Sequence, residues 1–214
     1  MISLLLAATL VPLASMTESN RTLVQPVVEQ YTLRRDYSAK TFRGRREQFE
    51  FLMDHFVACS ALAEQLGLIR YRVVDDGPDR VVGDDGEGAR GHIQQVYCTE
   101  GQRIYFVDGS QQGIFQARGR GVVVVQYSQA GSNTIEFSGQ MLVKIDNPVV
   151  ATLAQVFFVF VKSTVDWHFN HVISQPVNLS GLTLGEPEMI RRSIEEMPAD
   201  DYRLLAPYLE TLRR

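Results

Sequence analysis

The feature that most constrains this chain is an apolar run that begins at Pro148. Residues 149–161 read VVATLAQVFFVFV and are apolar at nearly every position. Asn147 can cap free backbone N–H groups and Pro148 suits the first helical position, so we predict a helix from Pro148 to about Ile173. The β-branched and aromatic side chains would also suit a buried strand, but length and the capping signal favour a helix. Lys162 ends the run before it is long enough to span a bilayer.

Shorter patterns surround this helix. Apolar residues at steps of three and four predict a helix over about 45–66, and residues 24–33 (VQPVVEQYTL) read as a first strand or an extended arm. Several strands joined by glycine-containing turns follow, of which the best is Thr134–Ile145. Its alternation predicts that one face of the sheet is buried (dry) and the other is exposed to solvent (wet). The side chains assigned to the dry face are Ile135, Phe137, Met141, Val143 and Ile145. Short amphipathic helices are predicted at 187–196 and 200–212.

The order of elements is a helix, an antiparallel meander, a long apolar helix and a helical tail, which predicts one compact α+β domain. This order resembles the START-related helix-grip superfamily, which includes polyketide cyclases and plant allergens that bind lipids. The resemblance rests on the helix over 49–66, the strand Thr134–Ile145 and the junction at residues 146–148, and it covers about residues 24–173. It implies a curved antiparallel sheet wrapped around the long C-terminal helix, with a hydrophobic cavity between them.

The N-terminal segment indicates in which cellular compartment the protein is located. Residues 2–14 (ISLLLAATLVPLA) have about the length of a signal-peptide core, although no Lys or Arg precedes them. We expect a signal peptide over residues 1–16 and therefore an exported protein, periplasmic or secreted. If Met16 is the true start, the protein is cytoplasmic. A helix-grip domain is expected over residues 17–181, and a helical tail packed on that domain over residues 182–214.

Charge and cysteine content exclude several classes of protein. The chain has 25 acidic and 21 basic residues and a net charge of −4, so no nucleic-acid partner is expected. A basic cluster at 43–46 and an acidic one at 75–87 are interpreted as solvated surface. Cys59 and Cys98 have no CxxC spacing, and we expect buried free thiols, although an oxidising compartment would permit a disulfide. No phosphate-binding or nucleophile-elbow motif occurs, and we expect no cofactor.

A polar stretch within the long helix is the strongest candidate for chemistry. His168 and His171 are one helical turn apart and could share a face, as paired metal ligands do. A metal site would need a third ligand, for which Asp54 and His55 are the candidates. The alternative is that both histidines form the polar rim of an apolar helix, and on that reading we expect no metal.

The all-round hydrophobicity of the long helix indicates a binding function. One sheet face cannot cover such a helix, so either other helices or a hydrophobic ligand must cover the rest. The first hypothesis is therefore non-catalytic binding or transport of a lipid or other hydrophobic small molecule in an internal cavity. The side chains predicted to contact that ligand are Phe137, Met141, Phe157, Phe160, Val161 and Trp167.

Two alternatives stay open. The same cavity could serve a cyclase, dehydratase or hydrolase, with Asp166, His168 and His171 as acid–base groups. The aromatic helix could instead dock onto a partner protein or a membrane surface, which would require a large exposed apolar patch. Ligand identity and oligomeric state do not follow from the sequence.

Overall fold

The computed structural model describes residues 10–69, 73–77, 79–84, 89–111, 117–156 and 173–212. The strands are β1 (Leu33–Arg43), β2 (Val73–Asp75), β3 (Arg80–Asp84), β4 (Ala89–Thr99), β5 (Gln102–Gln111), β6 (Ala117–Gly131) and β7 (Thr134–Ile145). The helices are α1 (Glu18–Glu29), α2 (Arg46–Asp54), α3 (Phe56–Gln65), α4 (Pro148–Val156), α5 (described over 173–185), α6 (Pro187–Glu195) and α7 (Ala199–Leu212). A single 3-10 turn at Leu13–Ser15 precedes α1.

The seven strands form one antiparallel sheet in the order β1-β7-β6-β5-β4-β3-β2. Strands β2 to β7 follow one another as a meander, and β1 joins the edge by pairing with β7. Strand β7 begins at Thr134 and ends at Ile145, as its alternation predicted. The predicted α+β class is therefore confirmed, and so is the helix-grip order of helices, a curved antiparallel sheet and C-terminal helices.

Both faces of the sheet are covered, so the prediction of one dry and one wet face is wrong. The front face carries Phe137 and Met141 of β7 and packs against α2 and α5. The back face carries Leu142 of β7 and packs against α1 and the segment before it. Leu142 is fully buried and Gln140 is 1% exposed, although both lie on the side that was expected to be wet.

Helix α1 covers the back face and replaces the strand or extended arm predicted to begin at Val24. The Thr17 side chain caps it by accepting a hydrogen bond from the Asn20 backbone N–H at 3.3 Å. Val24 and Val27 are fully buried against the sheet. Their spacing of three residues places both on one side of a helix, and burial of that side outweighs their preference for strands.

The helix predicted over 45–66 is divided at His55 into α2 and α3. The backbone of His55 leaves the helical conformation, with φ −127° and ψ 69°. Its ring stacks on Phe51 with the ring centroids 4.2 Å apart, and its Nδ1 lies 2.9 Å from the Phe51 carbonyl oxygen. The break lets α2 pack on the front face while α3 packs against the C-terminal helices.

Helices α4, α6 and α7 begin within one residue of their predicted starts, and the chain is helical beyond Ile173. Asn147 caps α4, since its side-chain oxygen accepts a hydrogen bond from the Val149 backbone N–H at 2.9 Å. Helix α5 reaches residue 185, so the predicted helix end at Ile173 is wrong. Helices α6 and α7 lie where the amphipathic patterns placed them, and they pack against α3. Among the described helices, none is long and apolar enough to cross a membrane.

The two cysteines are free thiols in different parts of the fold. Cys59 is buried in α3, and this burial raises the pKa of its thiol to about 12. Cys98 is exposed on β4. The expectation of buried thiols is therefore right for Cys59 and wrong for Cys98.

Candidate functional site

The front face is densely packed at the end where it meets α2. Phe49 and Ile135 are fully buried there, and Tyr127 is buried beside them. The ring of Phe49 meets Tyr127 edge-on with centroids 5.2 Å apart and lies 5.1 Å from the ring of Phe42. Protein side chains therefore fill this end of the face.

Farther along the same face the apolar side chains are only half-buried. Phe137 and Met141, both predicted to line a cavity, lie here in one cluster on β7. Val123 of β6 lies directly opposite Met141, and Tyr37 of β1 belongs to the same cluster. The first described turns of α5 contact this cluster as well. The face thus carries a strip of half-buried apolar surface, the front strip, formed by Val123, Met141, Phe137 and Tyr37.

A row of glycines continues the front face beyond this strip. Gly91, Gly109 and Gly119 are direct neighbours across β4, β5 and β6. A Cβ atom at Gly109 would lie 3.1 Å from a backbone oxygen of β4, and one at Gly119 only 2.8 Å from a backbone oxygen of β7. A side chain at Gly119 would clash with β7, and one at Gly91 or Gly109 would press on a neighbouring strand. These glycines therefore allow the strands to approach one another closely.

An ion pair fixes α2 to the packed end of the front face. Arg103 of β5, which is 5% exposed, donates from Nε and Nη2 to the two carboxylate oxygens of Asp54 at 2.6 and 2.9 Å. Burial opposes the charge of Arg103, but the hydrogen bond and charge of Asp54 raise the pKa of its guanidinium above the ordinary value. Gln95 donates to the same carboxylate at 2.8 Å. Asp54 therefore anchors a helix to the sheet.

The ion pair between Asp54 and Arg103 affects the predicted metal site. Both carboxylate oxygens of Asp54 are already bonded to Arg103, and His55 is exposed and stacked on Phe51. Within the described ranges, no group of three His, Cys, Asp or Glu side chains is placed to hold a metal ion. Asp54 is therefore engaged as the partner of Arg103, and the predicted metal site, which includes His168 and His171 outside the described residues, stays a prediction.

Two tyrosines extend the contact between α2 and the sheet. The Tyr127 hydroxyl donates to Glu50 Oε1 at 2.8 Å, and the Tyr105 hydroxyl donates to the Met53 carbonyl oxygen at 3.0 Å. Burial raises the pKa of both phenols, and the hydrogen bond to Glu50 raises that of Tyr127 further. Sequence reasoning did not identify this network, because its partners are 41 to 77 residues apart and form no local motif.

A small surface depression lies at the Phe137 end of β6 and β7, and most of its lining residues (Gln126, Ser128, Glu136 and Ser138) belong to the back face. It is lined in part by Phe137, Gly101, Ser128 and Glu136 and has a volume of about 160 Å³. Ligand pockets for drug-sized molecules are ordinarily about 300–1,000 Å³. This depression is therefore too small to be the predicted cavity.

The remaining predicted site residues fall within 157–172, outside the described residues. They are Phe157, Phe160, Val161, Asp166, Trp167, His168 and His171. Their roles as ligand contacts or acid–base groups stay predictions. The structure thus describes the sheet side of the predicted site, where Phe137 and Met141 are brought together.

No protein-family model matches this chain, and no curated protein matches it. Solved structures match over about two thirds of its length. A conserved protein from Geobacillus kaustophilus is 12% identical with a TM-score of 0.49, over 68% of this chain and 96% of its own. A START superfamily protein from Mycobacterium smegmatis is 16% identical with a TM-score of 0.41, over 68% and 97%. Truncated norcoclaurine synthase from Thalictrum flavum is 11% identical with a TM-score of 0.39, over 67% and 92%. Similarity this distant transfers no ligand and no activity to the chain.

Proposed function

We propose that this protein binds and carries a lipid or another hydrophobic small molecule against the front face of its sheet, without catalysing a reaction. The observation that carries the proposal is the half-buried front strip, which lies on a face whose other end is fully packed. Full burial of one such side chain stabilises a protein by about 1.5–3 kcal/mol. A hydrophobic ligand would cover the part of Phe137, Met141 and Val123 that stays exposed beside α2 and α5.

The surroundings of the strip suit a binding scaffold. The glycine row at Gly91, Gly109 and Gly119 lets the strands that continue this face approach one another closely without interrupting strand pairing. At the other end, Arg103 and Asp54 neutralise each other and hold α2 rigidly on the sheet. A site built on strands and supported by a fixed helix can keep its shape when the ligand leaves.

Native mass spectrometry of the purified chain tests the proposal directly. We expect a bound apolar species that organic extraction releases, and a rise in Tm when the extracted species is added back, because a ligand that binds only the folded state stabilises it. A chain that carries no such species, and whose Tm does not respond to added lipids, would contradict the proposal.

A pair of tryptophan variants locates the site. Met141→Trp would fill the front strip, so it should abolish retention of the bound species while circular dichroism stays that of the folded protein. Val74→Trp is the matched control, because Val74 lies on the edge strand β2 and is 48% exposed. Retention of the bound species by both variants would place the site away from the front face.

Export of the protein by a signal peptide over residues 1–16 is also part of our proposal, and the packing of residues 10–16 bears directly on its test. Val11 and Met16 are buried against the back face. The backbone of Leu10 is held at both ends, since its N–H donates to Gln140 Oε1 at 3.3 Å and its carbonyl accepts from Gln102 Nε2 at 2.9 Å. N-terminal sequencing of the exported protein should give a start near Thr17, without the contacts of Val11 and Met16. A protein that keeps residues 10–16 and stays inside the cell would refute export.

A further inference from the structure

The pairing of β1 with β7 places two cations beside the front strip. Arg35 lies directly opposite Met141, and Lys40 lies directly opposite Phe137. Residues opposite each other in an antiparallel pair point to the same face, with Cβ atoms about 4.5–5.5 Å apart. Each of the two predicted ligand contacts on β7 therefore has a cationic neighbour at the sheet edge.

Lys40 is the cation best placed to meet a ligand. It is exposed, and within the described part of the chain it forms no hydrogen bond or ion pair. Its aliphatic stem can lie along Phe137 while its ammonium reaches water, as long cationic side chains commonly do. Arg35 is half-buried, with its guanidinium carbon 5.8 Å from the centre of the Tyr37 ring. The two cations lie on either side of Tyr37 along β1.

The carboxylate nearest in sequence is directed elsewhere. Asp36 lies opposite Gln140, which places it on the back face. There it accepts hydrogen bonds from Gln140 Nε2 at 2.7 Å and from Arg34 Nε at 2.9 Å. Asp36 therefore does not neutralise Lys40 on the front face.

From this arrangement we infer that the ligand is an amphiphile with an anionic head group, a carboxylate or a phosphate. Lys40, assisted by Arg35, holds the head group at the β1 edge, and the apolar part lies on Phe137 and Met141. The inference rests on the proposed function, because it names the class of molecule that the front strip carries. A cation at the rim of an apolar surface favours an amphiphile over a wholly apolar molecule.

Binding titrations with three probes test this inference. Oleate and dodecyl phosphate carry the anionic group, and oleyl alcohol has the same chain as oleate without the charge. The wild-type chain should bind oleate more tightly than oleyl alcohol. Lys40→Gln should weaken oleate and dodecyl phosphate by about three- to tenfold and leave oleyl alcohol unchanged, and high salt should reduce the difference.

Arg43→Gln is the matched control. Arg43 is an exposed cation of the same strand, but it lies opposite Thr134 and away from the front strip. It should leave all three affinities unchanged. Circular dichroism and Tm of both variants confirm that each is folded.

The outcomes separate this inference from the proposed function. Two results would overturn the head-group site and leave apolar binding standing. One is equal affinity of the wild-type chain for oleate and oleyl alcohol. The other is an unchanged affinity of Lys40→Gln for both oleate and dodecyl phosphate. If none of the probes binds the wild-type chain, both ideas fail. Displacement of oleate by millimolar acetate would show that the site takes free anions, and this too would overturn the inference.

Discussion

Replacing Asp54 by alanine should destabilise the fold by about 2–4 kcal/mol, because it leaves the charge of Arg103 buried without its partner. The side chain of Arg103 is 6% exposed and gives two short hydrogen bonds to Asp54. Removing one partner of a buried pair costs about 3–5 kcal/mol. That figure is reduced here because the Asp54 side chain is 28% exposed, and two contacts of Arg103 reduce it further. Arg103 Nη1 keeps its hydrogen bond to the Thr99 carbonyl at 2.6 Å, and Glu50 lies 4.0 Å from Nη2.

Equilibrium urea denaturation measures this effect as a fall in the midpoint at constant slope. The double variant Asp54→Ala with Arg103→Met removes both charges and should recover most of the loss. Asp200→Ala is the control. It breaks a 2.9 Å pair with Arg203 in which both side chains are largely exposed, so the midpoint should move far less than with Asp54→Ala, even though Asp200 lies in the first turn of α7. If Asp54→Ala shifts the midpoint no more than this control, the argument from burial is refuted.

The N-terminal segment, the cysteines and one turn offer three further tests. A chain that begins at Thr17 loses two buried apolar side chains from the back face, and its Tm should fall by an amount equivalent to roughly 3 kcal/mol or more. A native Tm in that truncated chain would contradict the packing of the segment. An aromatic disulfide reagent should modify Cys98 in the native protein but Cys59 only after unfolding, because the Cys59 thiol is buried and has a pKa of about 12. Rapid modification of both thiols would contradict this. Gly101→Ala should cost about 1–3 kcal/mol in urea denaturation, since Gly101 has φ 81° and a Cβ there would lie 2.8 Å from the Tyr127 carbonyl oxygen. An unchanged midpoint would refute that reading.

Features of the fold that depend on local sequence could be predicted. The alternating pattern of β7 predicted both ends of the strand correctly. Alternation of side chains between the two faces is a property of a single strand, so it can be read from local sequence. The cap by Asn147 was equally predictable, because the side chain satisfies backbone N–H groups only two residues away. Both signals act within one turn or one strand. They therefore do not depend on how distant parts of the chain pack.

Features that depend on tertiary packing could not be predicted. Val24 and Val27 favour a strand by propensity, and only the presence of an uncovered back face makes a helix the better arrangement. The back face was predicted to be exposed to solvent because Gln140 and other residues on that side of β7 are polar. Gln140 is nevertheless buried, and its amide is satisfied by Asp36 and by the Leu10 backbone, both more than 100 residues away.

The candidate site depends on one irregularity of β1 in the same way. Between Tyr37 and Lys40 the register shifts, so that three steps along β1 match two steps along β7. Without this bulge, strict alternation from Tyr37 would turn Lys40 to the back face. Packing keeps the bulge in place, because the same shift brings Phe42 onto the front face, where its ring lies 5.1 Å from Phe49. The aromatic contact that closes the packed end of the face is therefore also what places a cation beside Phe137.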